Sequence, residues 1–246
     1  MINKNLILNV YESRSLNSNL ATQLLYGEKF LIIKSYKKHF QIKTSYDNYT
    51  GYITKRKFQK KMIPTHKISV LKASLYSRPN IKFKLKKKIS FCSYIQVLSI
   101  KNNFYKFDKY WIQKKDVMKI KATIKLFDKI KIFESIKYKW GGNSFKGIDC
   151  SALVQIFYKF NNLYFPRDTK DQVKLFKKSN NKAYLKKNSL IYWKGHVAIC
   201  LTNTNLIHAY GPKKKVIIMN IKKTIKEIKE KSKLEIQSIK HEPSRF

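Results

Sequence analysis

The front half of the chain, to about residue 119, is a succession of short runs in which apolar and polar residues alternate. The runs are "EKFLIIKSY", "HFQIKTSY", "TGYITK", "ISVLKASLYS", "YIQVLSI" and "FYKFDKYWIQ". Runs of this kind, rich in Ile, Val, Tyr and Phe and separated by Asn, Asp, Gly and Lys, are typical of strands in small barrels. Two successive segments have similar lengths, and both end in an aromatic-Ile strand followed by basic residues. The pattern predicts two small all-β barrels with a boundary near Pro64.

The hydrophobic period changes at residue 124. From there the apolar residues recur every three positions, at Ile124, Phe127, Ile130, Phe133 and Ile136. This period is closer to a helical face than to a strand, so a helix is predicted to open the second half. Gly141 and Gly142 break the chain. A second helix is predicted to begin at Cys150, with one apolar face made by Ala152, Leu153, Ile156, Phe157 and Phe160.

The rest of the second half predicts one more helix and then a sheet. In "PRDTKDQVKLF", Thr169 and Gln172 form a capping-box pattern, which predicts a helix start. Four strand-like runs follow, "SLIYW", "HVAICL", "NLIHAY" and "KVIIMNI". Helices followed by an antiparallel sheet predict an α+β fold. The charged tail from residue 222 to 246 is a helix or a strand.

Length and composition limit the class of protein. The chain has 246 residues, of which 43% are hydrophobic, which is enough for one large domain or two or three small ones. Its apolar runs are far shorter than the roughly 20 residues of a membrane span, and the first residues lack a small-residue cleavage site. The three cysteines, Cys92, Cys150 and Cys200, are widely spaced and form no CxxC pair. We therefore expect no membrane span, no secretory signal and a reducing, cytoplasmic location.

The formal charge of +40 raises the question of a nucleic-acid or membrane partner. The positive charge is almost entirely lysine, which is spread along the whole chain, whereas base and phosphate recognition favours the planar fork of arginine. Arginine occurs only at Arg14, Arg56, Arg78, Arg167 and Arg245. We interpret the positive charge as a general lysine bias in composition that does not reflect a particular fold or function. We therefore expect no specific nucleic-acid partner.

Cys150 stands at the predicted start of a helix, where about half a positive charge favours a thiolate. His196 and His208 lie in consecutive predicted strands, so their imidazoles are expected to be close on one sheet face. A thiol on a helix, a base on a strand and a second residue that orients the base form a nucleophilic constellation, in which we expect an ionised sulfur. Residue types alone leave alternatives open: a buried apolar cysteine with two core histidines, or a zinc site, although no ligand pair has the short spacing of structural zinc sites.

Four ordered motifs carry a resemblance to a known family. "YKWGGNSFKGIDCSALVQIFYKF", "FPRDTKDQ", "SLIYWKGHVAIC" and "LIHAY" resemble the NlpC-type family of papain-like cysteine peptidases, which cut bacterial cell-wall peptides. The resemblance implies that Cys150 is the nucleophile, His196 the base and His208 the third catalytic residue. It also implies that Tyr138 lies beside the nucleophile and lines the substrate and oxyanion site. No cofactor or metal is implied.

The front half resembles the paired bacterial SH3-like domains that precede the peptidase domain in the subgroup cutting γ-D-glutamyl to a diamino acid. The implied division is 1–64 and 65–121 for two SH3-like barrels and 122–246 for the peptidase. The resemblance implies that Glu28, after "YG", and Tyr49, before "TG", close one end of the cleft. The remaining residues expected to bind the substrate are Asp149, Ser151, Asp168 and Thr169, and a helix cap is the alternative role of Asp168.

The sequence departs from the family pattern at two places. Ala152 stands where the family usually has glycine, and Asn188 and Ser189 stand where it usually has Gly-Asp. An added methyl group in the first turn of a helix raises helix propensity, so we expect no effect of Ala152 on the thiol. The turn at Asn188 is expected to be structural.

The function implied by the resemblance is hydrolysis of the γ-D-glutamyl to diamino acid bond in free murein peptides with an unblocked N-terminal L-Ala. Together with the missing export signal, it suggests a monomeric enzyme of peptidoglycan recycling. Three alternatives stay open: an exported endopeptidase that remodels the wall, a non-catalytic wall-binding protein, and an enzyme that uses the thiol for acyl transfer or ester hydrolysis.

Overall fold

A computed structural model of the protein describes residues 1–15, 17–176 and 185–241, and residues 242–246 of the predicted tail lie outside this range. The chain forms two units. The first comprises Met1–Thr123, Trp140–Phe145 and Phe160–Asn162. The second comprises Ile124–Lys139, Lys146–Lys159 and Leu163–Phe246. The predicted division at residues 1–64, 65–121 and 122–246 stays a prediction.

The first unit begins with a five-stranded antiparallel sheet. Its strands are β1 (Ile7–Tyr11), β2 (Leu20–Leu25), β3 (Phe30–Ser35), β4 (His39–Thr44) and β5 (Thr50–Thr54), in the order β2-β1-β5-β4-β3. Val10, Phe30 and Ile42 are among the buried residues that form its core. A Cβ at Gly51 would lie 2.6 Å from Cγ1 of Val10 and 2.8 Å from the carbonyl oxygen of Tyr11. Glycine therefore allows β5 to approach β1 so closely.

The rest of the first unit contains two further sheets and a short strand. The strands are β6 (His66–Ile68), β7 (Lys72–Tyr76), β8 (Lys84–Ser90), β9 (Tyr94–Ile95), β10 (Ser99–Lys101), β11 (Phe104–Phe107), β12 (Tyr110–Gln113), β13 (Val117–Lys119) and β14 (Asn143–Ser144). The two sheets have the orders β10-β11-β12-β7-β8 and β13-β6-β9, and 3₁₀ turns lie at Ile81–Phe83 and Lys114–Asp116. Ile2 and Tyr26 belong to the same buried cluster as Ile68 and Ile112, so the two halves of this unit share a core.

The predicted strands of the front half are therefore confirmed, but closure into two barrels is not. Each of the three strand orders runs from one edge strand to another, and no closed barrel is found among the described residues of the first unit. Alternation along a strand fixes which side chains face the core, whereas closure depends on how distant strands pair, which alternation does not encode.

The second unit has a five-stranded antiparallel sheet and three helices. The strands of the sheet are β16 (Leu190–Trp193), β17 (His196–Cys200), β18 (Asn205–Tyr210), β19 (Lys215–Asn220) and β20 (Ser238–Lys240), and β15 (Gly147–Ile148) lies outside the sheet. The sheet order is β19-β18-β17-β16-β20. The helices are α1 (Cys150–Phe160), α2 (Thr169–Gln172) and α3 (Ile221–Ser232), and 3₁₀ turns lie at Ile130–Phe133, Val173–Leu175 and Gly211–Lys213. The helix predicted from Cys150 and the four predicted strands are confirmed. Within the described part of the chain, no helix combines the length and the apolarity that crossing a membrane requires.

The helix predicted from residue 124 is wrong, because only a 3₁₀ turn at Ile130–Phe133 forms there. Phe127 and Ser135 have φ values of 60° and 66°, which no right-handed helix accommodates. Phe127, Ile130 and Phe133 are nevertheless buried. Apolar residues spaced by three lie on one side of a 3₁₀ turn, whereas in an α-helix their positions rotate around the axis. The pattern therefore predicted the buried residues correctly and the type of helix incorrectly.

The helix start predicted in "PRDTKDQVKLF" is confirmed, because α2 begins at Thr169, but the capping box predicted there does not form. Thr169 is the first helical residue, and the N-cap position belongs to Asp168, whose side chain makes no cap hydrogen bond. The side chain of Gln172 instead donates to the carbonyl oxygens of Ser151 and Pro166, at 2.9 Å each. The capping-box pattern is short, and here a tertiary contact uses the glutamine that the pattern requires.

The turn before β16 is structural, as expected. Asn188 has a φ of 67°, in the left-handed region where asparagine is tolerated next best after glycine. Its side-chain amide donates to the carbonyl oxygen of Leu126 at 3.3 Å, and Ser189 Oγ accepts from the backbone N–H of Lys186 at 3.1 Å.

Lys67 of the first unit is fully buried. Its ammonium group donates a short hydrogen bond to the carbonyl oxygen of Phe160 and lies 4.5 Å from the centroid of the Phe160 ring. Burial lowers the pKa of Lys67 from its ordinary value. The cation is thus held by one carbonyl oxygen and one aromatic face.

Replacing Lys67 with alanine should lower the free energy of unfolding by about 2–4 kcal/mol, because the change leaves a cavity and removes the donor to Phe160. Lys67→Met keeps most of the packing and removes the buried charge, so it should cost less than Lys67→Ala. Urea unfolding of both variants, with the exposed Lys84→Ala as control, measures this. Equal losses for Lys67→Ala and Lys84→Ala would contradict it.

Candidate active site

Cys150 is the first residue of α1, and its position is fixed by the residue before it. Oδ1 of Asp149 accepts from the backbone N–H of Ala152 at 2.8 Å, and the Asp149 carbonyl accepts from the N–H of Leu153 at 3.0 Å. This arrangement makes Asp149 the N-cap of α1. Ala152, the departure from the family pattern, is buried, and its N–H makes the cap bond.

The sulfur of Cys150 lies against the backbone on both sides of His196. It is 4.0 Å from the carbonyl oxygen of Gly195, and it accepts a hydrogen bond from the backbone N–H of Val197. Trp193 pairs with His196 across the hairpin between β16 and β17, and Gly195 has a φ of 77° in the two-residue turn. A two-residue turn needs a residue that readily adopts positive φ, and Gly195 is that residue. The turn brings the backbone next to His196 into contact with the Cys150 thiol.

His196 and His208 come together as the hairpin predicts. Nε2 of His196 lies 2.9 Å from Nδ1 of His208. His208 is fully buried, and its ring stacks on the ring of Tyr210 with centroids 4.6 Å apart and an interplanar angle of 12°. The two imidazoles therefore form a hydrogen-bonded pair beside the thiol-bearing helix.

The electrostatics of the site favour uncharged forms of all three residues. Burial, together with the charge of Asp149, raises the pKa of the Cys150 thiol to about 12, although the N–H groups of Val197 and Ser151 and the charge of Arg167 act in the opposite direction. Burial lowers the pKa of His196 to about 4. Desolvation therefore acts against the ionised sulfur that the helix terminus was expected to favour, and the ionised form stays a prediction.

An ion pair lies next to Cys150. Arg167 donates to both carboxylate oxygens of Asp149, at 3.0 Å from Nη1 and 2.5 Å from Nη2, and both side chains are buried. Nη1 also lies 2.9 Å from Oγ of Ser151, which in turn lies 3.2 Å from Oδ1 of Asp149. Arg167 has no predicted role, and its place in "PRD", beside a residue that has one, is the only signal in the sequence that points to it.

Tyr138 lies close to this group. Burial raises its pKa, and the charges of Cys150 and Asp149 raise it further, which places the phenol within electrostatic reach of both. Its backbone N–H donates to the carbonyl oxygen of Lys214 at 2.9 Å. The structure therefore brings Tyr138 together with Cys150 and Asp149, and its predicted contact with the oxyanion stays a prediction.

The other residues predicted to bind the substrate have local roles in the structure. Asp168 and Thr169 form the start of α2. In the first unit, Oε2 of Glu28 accepts from the backbone N–H of Leu25 at 2.6 Å, and the N–H of Tyr49 donates to Oγ1 of Thr44 at 2.9 Å. The substrate contacts of these four residues stay predictions. Among the residues that the structure describes, no three His, Cys, Asp or Glu side chains cluster closely enough to hold a metal ion.

Comparison with known proteins identifies two segments. Residues 135–232 match the NlpC/P60 family, and residues 10–57 match the bacterial dipeptidyl-peptidase SH3 domain. The γ-D-glutamyl-L-lysine dipeptidyl-peptidase of Bacillus subtilis is 25% identical over 234 residues, which cover 85% of this chain and 78% of that protein. The probable endopeptidase NlpC homolog of Haemophilus influenzae is 37% identical over 76 residues, and the match covers 30% of this chain and only 41% of that protein.

A solved structure shares the fold. The crystal structure of an NlpC/P60 family protein from Bacillus cereus superposes with a TM-score of 0.77 at 19% sequence identity, covering 89% of this chain and 93% of that one. The predicted resemblance is thereby confirmed. The chain carries an NlpC/P60 cysteine peptidase domain at residues 135–232, and a bacterial dipeptidyl-peptidase SH3 domain precedes it in the sequence at residues 10–57.

Proposed function

We propose that this protein hydrolyses the γ-D-glutamyl to diamino acid bond of free murein peptides that carry an unblocked N-terminal L-Ala. The observation that carries the proposal is the placement of the Cys150 sulfur against the His196 segment, with His208 2.9 Å behind His196. Two relatives from Bacillus subtilis and Bacillus cereus bear the name γ-D-glutamyl-L-lysine dipeptidyl-peptidase, which supports the choice of bond.

The uncharged resting site makes His196 a general base. The thiol and the imidazole are both neutral near pH 7, since burial raises the pKa of Cys150 to about 12 and lowers that of His196 to about 4. His196 then takes the thiol proton as the sulfur attacks the γ-amide carbonyl of D-Glu. The backbone N–H of Cys150 and the phenol of Tyr138 are the groups that we assign to the developing oxyanion.

The second half of the cycle reverses the proton transfer. Protonated His196 donates its proton to the leaving amine of the diamino acid, and the acyl group stays on the sulfur as a thioester. A water molecule, deprotonated by His196, attacks the thioester and releases D-Glu with L-Ala attached, and the proton on His196 returns to the sulfur to restore the thiol. Nδ1 of His208, 2.9 Å from Nε2 of His196, keeps that imidazole oriented throughout.

Recognition of the substrate amine is the second part of the proposal. The free N-terminus of a murein peptide is an ammonium group, which carboxylates bind by charge-assisted hydrogen bonds. Glu28 and Asp168 are the carboxylates that we assign to it, with Tyr49, Thr169, Asp149 and Ser151 as further lining residues. We also propose a monomeric enzyme that acts in the cytoplasm, in peptidoglycan recycling.

The purified protein should release free meso-diaminopimelate from L-Ala-γ-D-Glu-meso-diaminopimelate, or free lysine from the corresponding lysine peptide, as detected by mass spectrometry. Cys150→Ala should abolish the release because it removes the nucleophile, whereas Cys200→Ala, which removes a buried thiol of β17, should keep it. The N-acetylated peptide should resist cleavage. Cleavage of N-blocked stem peptides would point to wall remodelling instead, and no release from either free peptide would contradict the proposal.

The rate of alkylation of Cys150 by iodoacetamide should rise about tenfold per pH unit from pH 6 to pH 9, because only the ionised fraction of a thiol reacts. With a thiol pKa of about 12, this fraction is small and grows throughout the range. The Cys150→Ala protein supplies the background from the other cysteines. A plateau of fast alkylation between pH 5 and pH 8 would instead indicate a thiolate–imidazolium pair.

Arg167→Met should lower the free energy of unfolding by about 3–5 kcal/mol, because it leaves the Asp149 carboxylate buried without its cation. It should also slow alkylation of Cys150, since Arg167 opposes the rise of the thiol pKa. The matched control is Arg78→Met, which removes an exposed guanidinium and should change stability by less than about 0.5 kcal/mol. A urea midpoint for Arg167→Met equal to that of the control would show that the ion pair does not stabilise the site.

A further inference from the structure

Both ring nitrogens of His208 have a partner. Nδ1 lies 2.9 Å from Nε2 of His196, and Nε2 lies 3.4 Å from Sδ of Met219. Stacking on Tyr210 fixes the plane of the ring. Met219 carries no signal in the sequence, because it lies among the apolar residues of "KVIIMNI".

The chemistry of sulfur decides which nitrogen of His208 carries the proton. A thioether accepts a weak hydrogen bond and cannot donate one, so the contact with Met219 is a hydrogen bond only if Nε2 of His208 is protonated. A neutral imidazole has one ring proton, and burial keeps His208 neutral. Nδ1 of His208 is then an acceptor, and the bond between the two rings runs from the Nε2–H of His196.

The tautomer of His196 follows from that of His208. With its single proton on Nε2, His196 has an unprotonated Nδ1 that can accept the proton of the thiol. In the opposite arrangement His208 donates from Nδ1, its bare Nε2 faces the sulfur lone pairs, and His196 carries its proton on Nδ1. That second arrangement has no base for the thiol.

Met219 is held where this contact requires it. It pairs with Leu206 of β18, while His208 pairs with Ile217, so Met219 and His208 are diagonal neighbours on one sheet face. The next residue, Asn220, caps α3 by accepting from the backbone N–H of Lys223 at 3.1 Å. Pairing with β18 and the helix cap at Asn220 therefore hold the end of β19, which carries Met219, in place.

We propose that Met219 is a positioning residue of this site: its sulfur accepts from Nε2–H of His208 and thereby selects the tautomers of both imidazoles that leave Nδ1 of His196 ready to accept the thiol proton. The role assigned to the thiol proton rests on the proposed function, whereas the tautomer of His208 does not depend on any activity.

The first test measures the tautomer directly. In ¹⁵N-histidine-labelled wild-type protein near pH 7, His208, identified by comparison with His208→Gln, should show a protonated Nε2 and a bare Nδ1. A protonated Nδ1 in the wild type would overturn the proposal, whatever the variants do. Met219→Leu, which conserves volume and removes the acceptor, should shift His208 towards a mixture of tautomers.

Two further variants separate the hydrogen bond from packing. Met219→Gln restores an acceptor at similar length, but its carboxamide can also donate, so it should return His208 to the Nε2–H form only in part. Ile217→Leu changes packing on the same face of β19 beside His208 and should leave the tautomer unchanged. A Met219→Leu spectrum identical to that of the wild type would show that the sulfur does not select the tautomer.

Kinetics supply the second readout. With L-Ala-γ-D-Glu-diamino acid peptides, Met219→Leu should lower kcat about fivefold to tenfold at unchanged KM, which corresponds to the loss of one modest hydrogen bond, and Met219→Gln should recover part of it. A loss of the same size in Ile217→Leu would indicate packing and overturn the proposal. If the wild-type protein cleaves none of these peptides, the proposed function fails, and the tautomer spectra still decide the role of Met219.

Discussion

The buried ion pair between Arg167 and Asp149 is the interaction on which the architecture of the site depends. The same carboxylate that accepts from the guanidinium also caps α1 through the N–H of Ala152. Asp149 thus pairs with the buried charge of Arg167 and also caps α1. Because the cap position precedes the first helical residue, it places Cys150 at the start of the helix. Because a buried carboxylate without a partner is costly, the three tasks cannot be separated.

This arrangement has an electrostatic cost for ionisation of the Cys150 thiol. The negative charge of Asp149, next to the sulfur, opposes ionisation of the thiol, and Arg167 offsets only part of that effect. Desolvation acts in the same direction on Cys150 and keeps His196 uncharged. Burial therefore favours a neutral thiol and a neutral imidazole, so in the proposed mechanism the charge separation arises during the attack on the substrate and is stabilised by groups already in place.

The sequence predicts the parts of this structure that local patterns encode. Alternation located the strands of both units, and the motif around Cys150 placed the start of α1 correctly. The segment from Ile124 was misread because a spacing of three in Ile, Phe and Ile indicates burial without deciding between a 3₁₀ turn and an α-helix. Closure of the front half into barrels was beyond local patterns, since it depends on pairing between distant strands.

The candidate site divides in the same way. Cys150, His196 and His208 stand in motifs, and the hairpin connection between two strands was sufficient to bring the histidines together. Arg167 and Met219 were missed because a salt bridge and a thioether contact depend on tertiary geometry, and neither residue type is distinctive at its position. The protonation states could not be predicted from the helix terminus alone, because the degree of burial of the sulfur is a property of the folded chain.

The short segment from Pro166 to Gln172 has an evolutionary consequence. Within it, Arg167 binds Asp149 and Ser151, and Gln172 binds the carbonyl oxygens of Ser151 and Pro166. The segment is therefore joined to the beginning of α1 by an ion pair and several hydrogen bonds. Replacing Arg167 or Asp149 alone would bury an unmatched charge, so a substitution at one of them calls for a compensating substitution at the other.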